Sequence, residues 1–410
     1  MNKALEVLSE RGMLQQCTDL EGLSDLMDRG QVTFYLGMDP TGPSLHAGHL
    51  VPLFAAYHLV NAGHKAILVM GGGTARIGDP SGKTEMRKML TIEQINNNVE
   101  SIRKQVEHFF KVDGEQAIIV NNADWLANLN YIDFLRDIGR HFSVNRMLSF
   151  ETYKARLETG LSFIEFNYQL LQSYDFLVLN QKYNCSLQIG GDDQWGNIVA
   201  GIDLIRRVES KEAYGLTVPL VTRSDGKKMG KTEKGALFLD PNLVSPYEFF
   251  QYWRNVPDSD VNKLLKFYTL LPVEEIDQLT SYDDERINKA KERLAYELTA
   301  LIHSKEEAEK ALEAARAAFG GGGKDRSAIP TTEIPMVEIE QGINIVELFA
   351  RTGLSASKSE ARRLITQGGA YIGDNKIADL EAKVDKTHID QDGEILLRAG
   401  KKRYHRIIVK

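Results

Sequence analysis

Cysteine is nearly absent from this sequence: Cys17 and Cys185 are the only two in 410 residues, too far apart to form a spaced metal motif by themselves. A reducing, cytoplasmic setting fits that scarcity. Long apolar runs are missing as well. No stretch approaches the roughly 18 consecutive apolar residues that cross a bilayer, so no membrane association is expected. The first residues, Met1-Asn2-Lys3-Ala4-Leu5-Glu6-Val7, carry an acid early and lack the apolar block of a secretory signal. Positive charge is in deficit too: the formal net charge is −7, which argues against a protein that coats nucleic acid indiscriminately.

What is present is ordinary for a globular protein, with 42% hydrophobic and 26% charged residues. At this length two or three cores of ordinary size are expected. The charge is unevenly spread. From Val346 to Lys410, 13 Lys and Arg stand against 9 Asp and Glu, so this tail is +4 and the preceding residues are −11. A small basic module follows an acidic body.

Val32-Thr33-Phe34-Tyr35-Leu36 is rich in β-formers and stops at Gly37, the pattern of a buried strand. After a loop, Leu50, Leu53, Phe54 and Tyr57 recur at helical spacing between about His46 and Ala62, and Gly63 stands where a helix stops. Ala66-Ile67-Leu68-Val69-Met70 is a second strand. Strand, helix and strand in so short a span predict a parallel βαβ unit, the half-module of a doubly wound, Rossmann-like sheet. Further strands at Ala117-Ile118-Ile119-Val120 and Ser186-Leu187-Gln188-Ile189 assign residues 1–220 to one α/β catalytic domain. Ser245-Pro246 reads as a helix start, and helical periodicity into the stretch from Glu309 to Ala318 makes 221–323 a loop followed by an α-helical domain. Gly320 to Gly323, with Pro330 and Pro335 beyond, mark a linker at 324–343. Ser357-Lys358-Ser359-Glu360 has the form of a capping box opening a short helix that ends at Gly368-Gly369. With short strands turning at Gly373-Asp374-Asn375 and Gly400, residues 344–410 form a small α+β unit.

Two loops carry the chemistry. After the first strand comes Asp39-Pro40-Thr41-Gly42-Pro43-Ser44-Leu45-His46-Ala47-Gly48-His49. A helix N-terminus presents unpaired N–H groups and a partial positive charge; a glycine there lets a phosphate approach, and two histidines on one face of the first turn add donors. Taken alone, such a string more often describes two capping or surface histidines. Far downstream, Asp225-Gly226-Lys227-Lys228-Met229-Gly230-Lys231-Thr232 sets ammonium groups close together in a glycine-containing loop, suited to closing over a triphosphate. Alone it also describes a solvated basic loop. A third stretch, Gly78-Asp79-Pro80-Ser81-Gly82-Lys83-Thr84, ends like a phosphotransferase P-loop, but the glycine that motif needs five residues before Gly82 is Ile77 here.

Together the two signatures resemble those of class I aminoacyl-tRNA synthetases, usually written HIGH and KMSKS; here they stand as His46-Ala47-Gly48-His49 and Lys228-Met229-Gly230-Lys231-Thr232. Ala47, Gly230 and Thr232 depart from the usual letters without removing a phosphate-binding group. The tyrosyl family is singled out by Tyr35-Leu36-Gly37-Met38-Asp39-Pro40-Thr41, by the run from Gly72 to Lys83, by Tyr168-Gln169-Leu170-Leu171-Gln172-Ser173-Tyr174-Asp175, and by the run from Gln188 to Asn197. Nearly the whole chain shares the resemblance. The tail from Ser357 to Gly373 resembles the RNA-binding domain shared with a small-subunit ribosomal protein, with Arg362, Arg363, Lys401, Lys402 and Arg403 as phosphate-neutralising candidates.

Carried over residue by residue, the resemblance implies that Tyr35 and Asp175 bind a substrate phenol, that Asp79, Tyr168 and Gln172 hold its ammonium group, and that Gln194 lies near its carboxylate. Gly37, Asp39, His46, Gly48, His49, Gly191, Asp193, Lys228, Met229 and Lys231 would hold ATP. Tyr168, Gln172 and Asp175, spaced by four and three, fall on one helical stripe, which agrees with a shared cavity. The tyrosine carboxylate is a nucleophile at neutral pH and needs no general base. Catalysis would rest on in-line positioning and on charge stabilisation by Thr41, His46, His49, Lys83, Arg87, Lys228, Lys231 and Thr232. Mg2+ is expected to arrive with ATP. The partners implied are L-tyrosine, ATP, tRNA(Tyr) and a second copy of the chain in a homodimer. A catalytically idle RNA-binding scaffold and a tryptophanyl enzyme remain the alternatives.

Overall fold

The computed structural model describes residues 1–81, 89–222, 224, 229–232, 235–320, 329–390, 392–400 and 403–410, with Ala155, Lys231, Thr232 and residues 317–320 described by their backbone alone. The chain forms two compact units: Met1–Gly230 with Asn262–Asp277, and Lys231–Val261 with Gln278–Lys410. The first runs past the expected boundary at residue 220 and takes back a piece of the helical region.

The first unit is built on a six-stranded sheet of β1 (Gln16–Cys17), β2 (Thr33–Met38), β3 (Lys65–Met70), β4 (Ala117–Asn121), β5 (Leu187–Gly191) and β6 (Tyr214–Val218). Its spatial order is β1-β6-β5-β2-β3-β4; β1 pairs antiparallel with β6 and every other pair is parallel. Phe34, Tyr35 and Leu36 lie beside Ala66, Ile67 and Leu68, all buried, because a parallel sheet covered on both faces needs continuous apolar runs. The helix Leu50–Asn61 joins β2 to β3. It buries Leu50, Val51, Leu53, Phe54, Ala55, Ala56 and Leu59, so it is apolar nearly all round. Each such leucine or phenylalanine contributes about 1.5–3 kcal/mol of burial.

From β2 the chain steps outward through β3 to β4, then returns to the other side of β2 as β5. Strand order therefore reverses between β2 and β5, and a crevice opens outside their carboxyl ends. The helix Phe163–Tyr183 is started by Ser162, whose side chain forms a reciprocal capping box with Glu165, and stopped by Asn184 in the left-handed region. Glu165 is buried with Arg156: the guanidinium donates to its carboxylate at 3.0 and 3.1 Å and to the Gly160 carbonyl at 2.9 Å. Residues 262–277 are held by Arg11, which donates to the carbonyls of Lys266, Thr269 and Leu271.

In the second unit Ser245 caps the helix Pro246–Arg254 with proline at its first turn, followed by helices Ile287–Ile302 and Lys305–Gly320. The stretch expected to be a linker at 324–343 is folded over much of its length. Thr331–Ile334 is a strand pairing in parallel with Arg403–Val409, and Met336–Gln341 is a helix. The prolines misled because Pro330 immediately precedes the edge strand and Pro335 starts the helix, both places where the missing N–H costs little. Ile334 and Ile339 are fully buried in the core formed by Leu348, Phe349, Ile365 and Ile395. Ser357 does cap the helix Lys358–Thr366, but the Glu360 carboxylate takes the N–H of Ala356 at 2.8 Å.

Candidate active site

A cavity of about 310 Å³ occupies the crevice at the β2–β5 reversal. Its lining includes Tyr35, Gly37, Asp39, Thr41, His46, Gly48, His49, Asp79, Tyr168, Gln172, Asp175, Gly191, Asp193 and Gln194. All fourteen were marked from the sequence, and residues 35 to 194 of the chain converge on one volume. The stripe Tyr168, Gln172 and Asp175 faces it from the helix Phe163–Tyr183.

At one end stand Tyr35 and Asp175. The Tyr35 hydroxyl is buried and has no hydrogen-bond partner among the described residues. Burial and the nearby Asp175 charge raise its pKa well above the usual phenol value. Asp175 is held from both sides, accepting from Asn122 Nδ2 at 2.9 Å and from Trp125 Nε1 at 2.7 Å. Burial pushes its carboxyl up to about 7 against these two donors. Asn122 and Trp125 come from the loop after β4 and were not marked from the sequence. Their only advance signal was a position just beyond the carboxyl end of a parallel strand.

In the middle, Asp79 accepts from the Ser81 N–H at 2.9 Å and from Gln194 Nε2 at 2.8 Å. The buried Asn197 donates to Gln172 Oε1 and Gln194 Oε1 at 3.1 and 3.0 Å. The Tyr168 hydroxyl, expected beside an ammonium group, donates to Asp39 Oδ2 at 2.8 Å, and Thr74 donates to Asp39 Oδ1 at 2.6 Å. Asn122 Nδ2 also reaches Thr74 Oγ1 at 2.9 Å, so one chain of bonds joins Tyr168 to Asp175. Gln188, beside Tyr35 in the β2–β5 register, lines the same space with its Oε1 unpartnered among the described residues.

At the other end the histidines both cap and face the cavity. His46 Nδ1 accepts from the Gly48 N–H at 3.1 Å, and His49 Nδ1 accepts from the His46 N–H at 3.1 Å. The rings lie 3.9 Å apart, centroid to centroid. The expectation of unpaired N–H groups here needs correction: those of Gly48 and His49 are engaged, by the His46 ring and the His46 carbonyl. Because each Nδ1 accepts, each neutral ring carries its proton on Nε2, as a donor. Gly48 has no Cβ because one would stand 2.9 Å from the His46 ring.

The second signature reaches this turn. Gly230, in the left-handed region at φ +77°, lies so close that an added Cβ would meet the Ala47 Cβ at 3.0 Å and the Gly48 nitrogen at 3.3 Å. Met229 is buried and donates from its backbone to Val221, a lining residue. Lys231 and Thr232 pair as a short strand with Gly235–Ala236 in the second unit. Lys83, Arg87 and Lys228, and in the tail Lys401 and Lys402, lie outside the described residues. Arg362 and Arg363 are exposed on one short helix, and Arg403 opens the last strand.

Residues 27–320 match the profile of the family described as tRNA synthetases class I (W and Y), and residues 328–407 that of the tyrosine–tRNA ligase SYY-like C-terminal domain. The chain belongs to the class I tRNA synthetases of this tryptophan and tyrosine group. The tyrosine–tRNA ligase of Treponema denticola is 64% identical over 408 residues, covering 100% of both chains; that of Treponema pallidum is 58% identical, covering 100% of this chain and 99% of its own. A C-terminally truncated mitochondrial tyrosyl-tRNA synthetase of Aspergillus nidulans superposes with a TM-score of 0.69 at 29% identity, over 77% of this chain and 94% of its own. Within the group the chain is a tyrosine–tRNA ligase: it activates L-tyrosine with ATP to tyrosyl-adenylate and pyrophosphate, then transfers tyrosine to the 3′-terminal adenosine of tRNA(Tyr).

Proposed function

We propose that the cavity divides its work as its polar groups divide. The Tyr35 and Asp175 end reads the substrate phenol. Asp79, Gln172 and Tyr168 take the ammonium group, with Gln194 toward the carboxylate, and Gly37, Asp39, Gly48, Gly191 and Asp193 border the nucleotide. The reading is carried by the buried Tyr35 hydroxyl, which lacks a partner among the described residues beside a carboxylate already fixed by two donors. A buried donor left unmade costs about 1–3 kcal/mol, and a substrate hydroxyl would remove that cost.

The substrate carboxylate attacks the α-phosphorus unaided, and the protein's part is to hold the two in line and to balance charge on the departing pyrophosphate. Thr41 and the Nε2–H donors of His46 and His49 serve that end, with Lys228, Lys231, Thr232, Lys83 and Arg87 assigned to it from the family resemblance, while Met229 borders the nucleotide. Mg2+ enters as the counter-ion of ATP. Among the described residues no three His, Cys, Asp or Glu side chains stand together as a ligand set.

Residues 344–410 would bind RNA through Arg362, Arg363 and Arg403, with Lys401 and Lys402 beside them in sequence, and residues 221–323 would carry the loop and the anticodon-reading helices. A homodimer is supported by the large apolar side chains left exposed along one stretch, Tyr131, Ile132, Val144, Leu157 and Phe163. Sedimentation at rising concentration tests it, and a monomer throughout would sink it. A cytoplasmic setting is supported by the two unpaired cysteines.

Tyr35→Phe tests the phenol reading with two opposite signs. The free protein gains about 1 kcal/mol because an unpaired buried hydroxyl disappears, while tyrosine binds several-fold more weakly and phenylalanine is unaffected. Tyrosine affinity equal to wild type would remove Tyr35 from the role.

A further inference from the structure

Asn197 is 5% exposed and does not line the cavity, yet two residues that do depend on how it is turned. The Asp79 carboxylate only accepts, so the Gln194 side chain that meets it at 2.8 Å presents Nε2. Gln194 must then offer Oε1 at its other corner. Asn197 meets that oxygen with Nδ2 at 3.0 Å, and the same Nδ2 meets Gln172 Oε1 at 3.1 Å, with the Ser81 hydroxyl more distant at 3.4 Å. One carboxylate thus sets the sense of three amides. Any of them alone rotates by half a turn with little change in shape, so the sense is chemical information that packing does not supply.

We propose that Asn197 is a positioning residue: tied to Gln194, whose N–H is committed to Asp79, it fixes Gln172 in the sense that presents its Oε1 acceptor to the substrate ammonium group, without touching the substrate. Gln172 Oε1 has two lone pairs, and Asn197 engages one of them, leaving the other for the ligand. Without that donor Gln172 samples both senses, and in the wrong one an N–H opposes the ammonium. The inference rests on the assignment of Asp79 and Gln172 to the ammonium end.

The test is equilibrium binding of two ligands to the full-length protein: tyrosine, and 3-(4-hydroxyphenyl)propanoate, which lacks only the amino group. Asn197→Leu keeps the volume and removes the donor; Asn197→Ser keeps one donor. The leucine variant is expected to bind tyrosine about 10- to 100-fold more weakly, the span of one hydrogen bond to a charged group, while the amine-free analogue holds its affinity. The serine variant falls between, and it decides the matter alone if leucine does not fold. Equal losses for both ligands, or no loss for either, overturn the proposal, because a general scaffold defect does not single out the amino group. Asp79→Asn separates the two layers. If it discriminates between the ligands and the Asn197 variants do not, the positioning role falls alone; if it does not discriminate, the ammonium assignment falls and takes the role with it.

Discussion

Replacing Asp175 by alanine removes the acceptor on which the phenol end converges, and the structure allows the effect to be sized. Tyrosine loses a hydrogen bond to a carboxylate, about 1.5–3 kcal/mol, or about 10- to 150-fold in affinity. Phenylalanine loses nothing. In the wild type it leaves the Asp175 carboxylate, though held by Asn122 and Trp125, without a substrate donor beside the unpartnered Tyr35 hydroxyl, and the substitution relieves the carboxylate's share, about 1–3 kcal/mol. The ratio of kcat/KM values for tyrosine over phenylalanine therefore falls from both sides, by about two to four powers of ten. Amino-acid-dependent ATP–pyrophosphate exchange with tyrosine, phenylalanine and tryptophan measures it, and the KM for ATP serves as the control. An unchanged ratio would refute the assignment. The same residue predicts a pH signature. Its carboxyl sits at about 7 in the folded protein against 3.8 ordinarily, so the folded state binds this proton more tightly and stability is lost as pH rises from about 4 to 7. That part of the slope, on the order of 4 kcal/mol, is absent from the alanine variant. A melting-temperature series over that range with parallel curves for both proteins would contradict the placement.

Other changes probe separate parts of the site. Lys231→Ala is expected to slow adenylate formation about 100-fold or more while tyrosine affinity stays near wild type; equal single-turnover rates would remove the lysine from the chemistry. Gly230→Ala puts a Cβ against Ala47 at 3.0 Å and strains a residue at φ +77°, so the KM for ATP should rise with little change for tyrosine. Should both constants stay put, the close approach of the two signatures would have no functional weight. Arg156→Ala strands the buried Glu165 charge and should cost about 3–5 kcal/mol, whereas Arg156→Met with Glu165→Met should cost much less. Equal losses of melting temperature would show that the pair matters for more than its charge.

The reach of the sequence was set by whether a residue's role depends on near or distant chain. The βαβ unit was legible because β2, the helix Leu50–Asn61 and β3 are each declared by local periodicity, and the cavity stripe because 168, 172 and 175 share a helix. Asn122, Trp125, Thr74 and Asn197 were not legible, since each acts through a partner 35 to 53 residues away or in a network of that kind, and nothing in the local pattern says which carboxylate or amide it will meet. The linker failed for the opposite reason. Pro330 and Pro335 are locally disruptive, and only the parallel pairing of Thr331–Ile334 with the distant strand Arg403–Val409 shows that they bracket structure.

The two histidines show why a bland and a functional reading need not compete. Read from the sequence, His46 and His49 were either caps or phosphate donors; in the structure the capping bonds are what make them donors. An imidazole that accepts a backbone N–H at Nδ1 carries its proton at Nε2, with its ring direction fixed. The N–H groups of His46, Gly48 and His49 are engaged within the turn, so under the proposed reading these histidines would meet a triphosphate through their rings. Donors whose direction is set before the triphosphate arrives need no reorganisation as charge builds on the departing pyrophosphate, so under that reading the arrangement would favour the transition state over bound ATP.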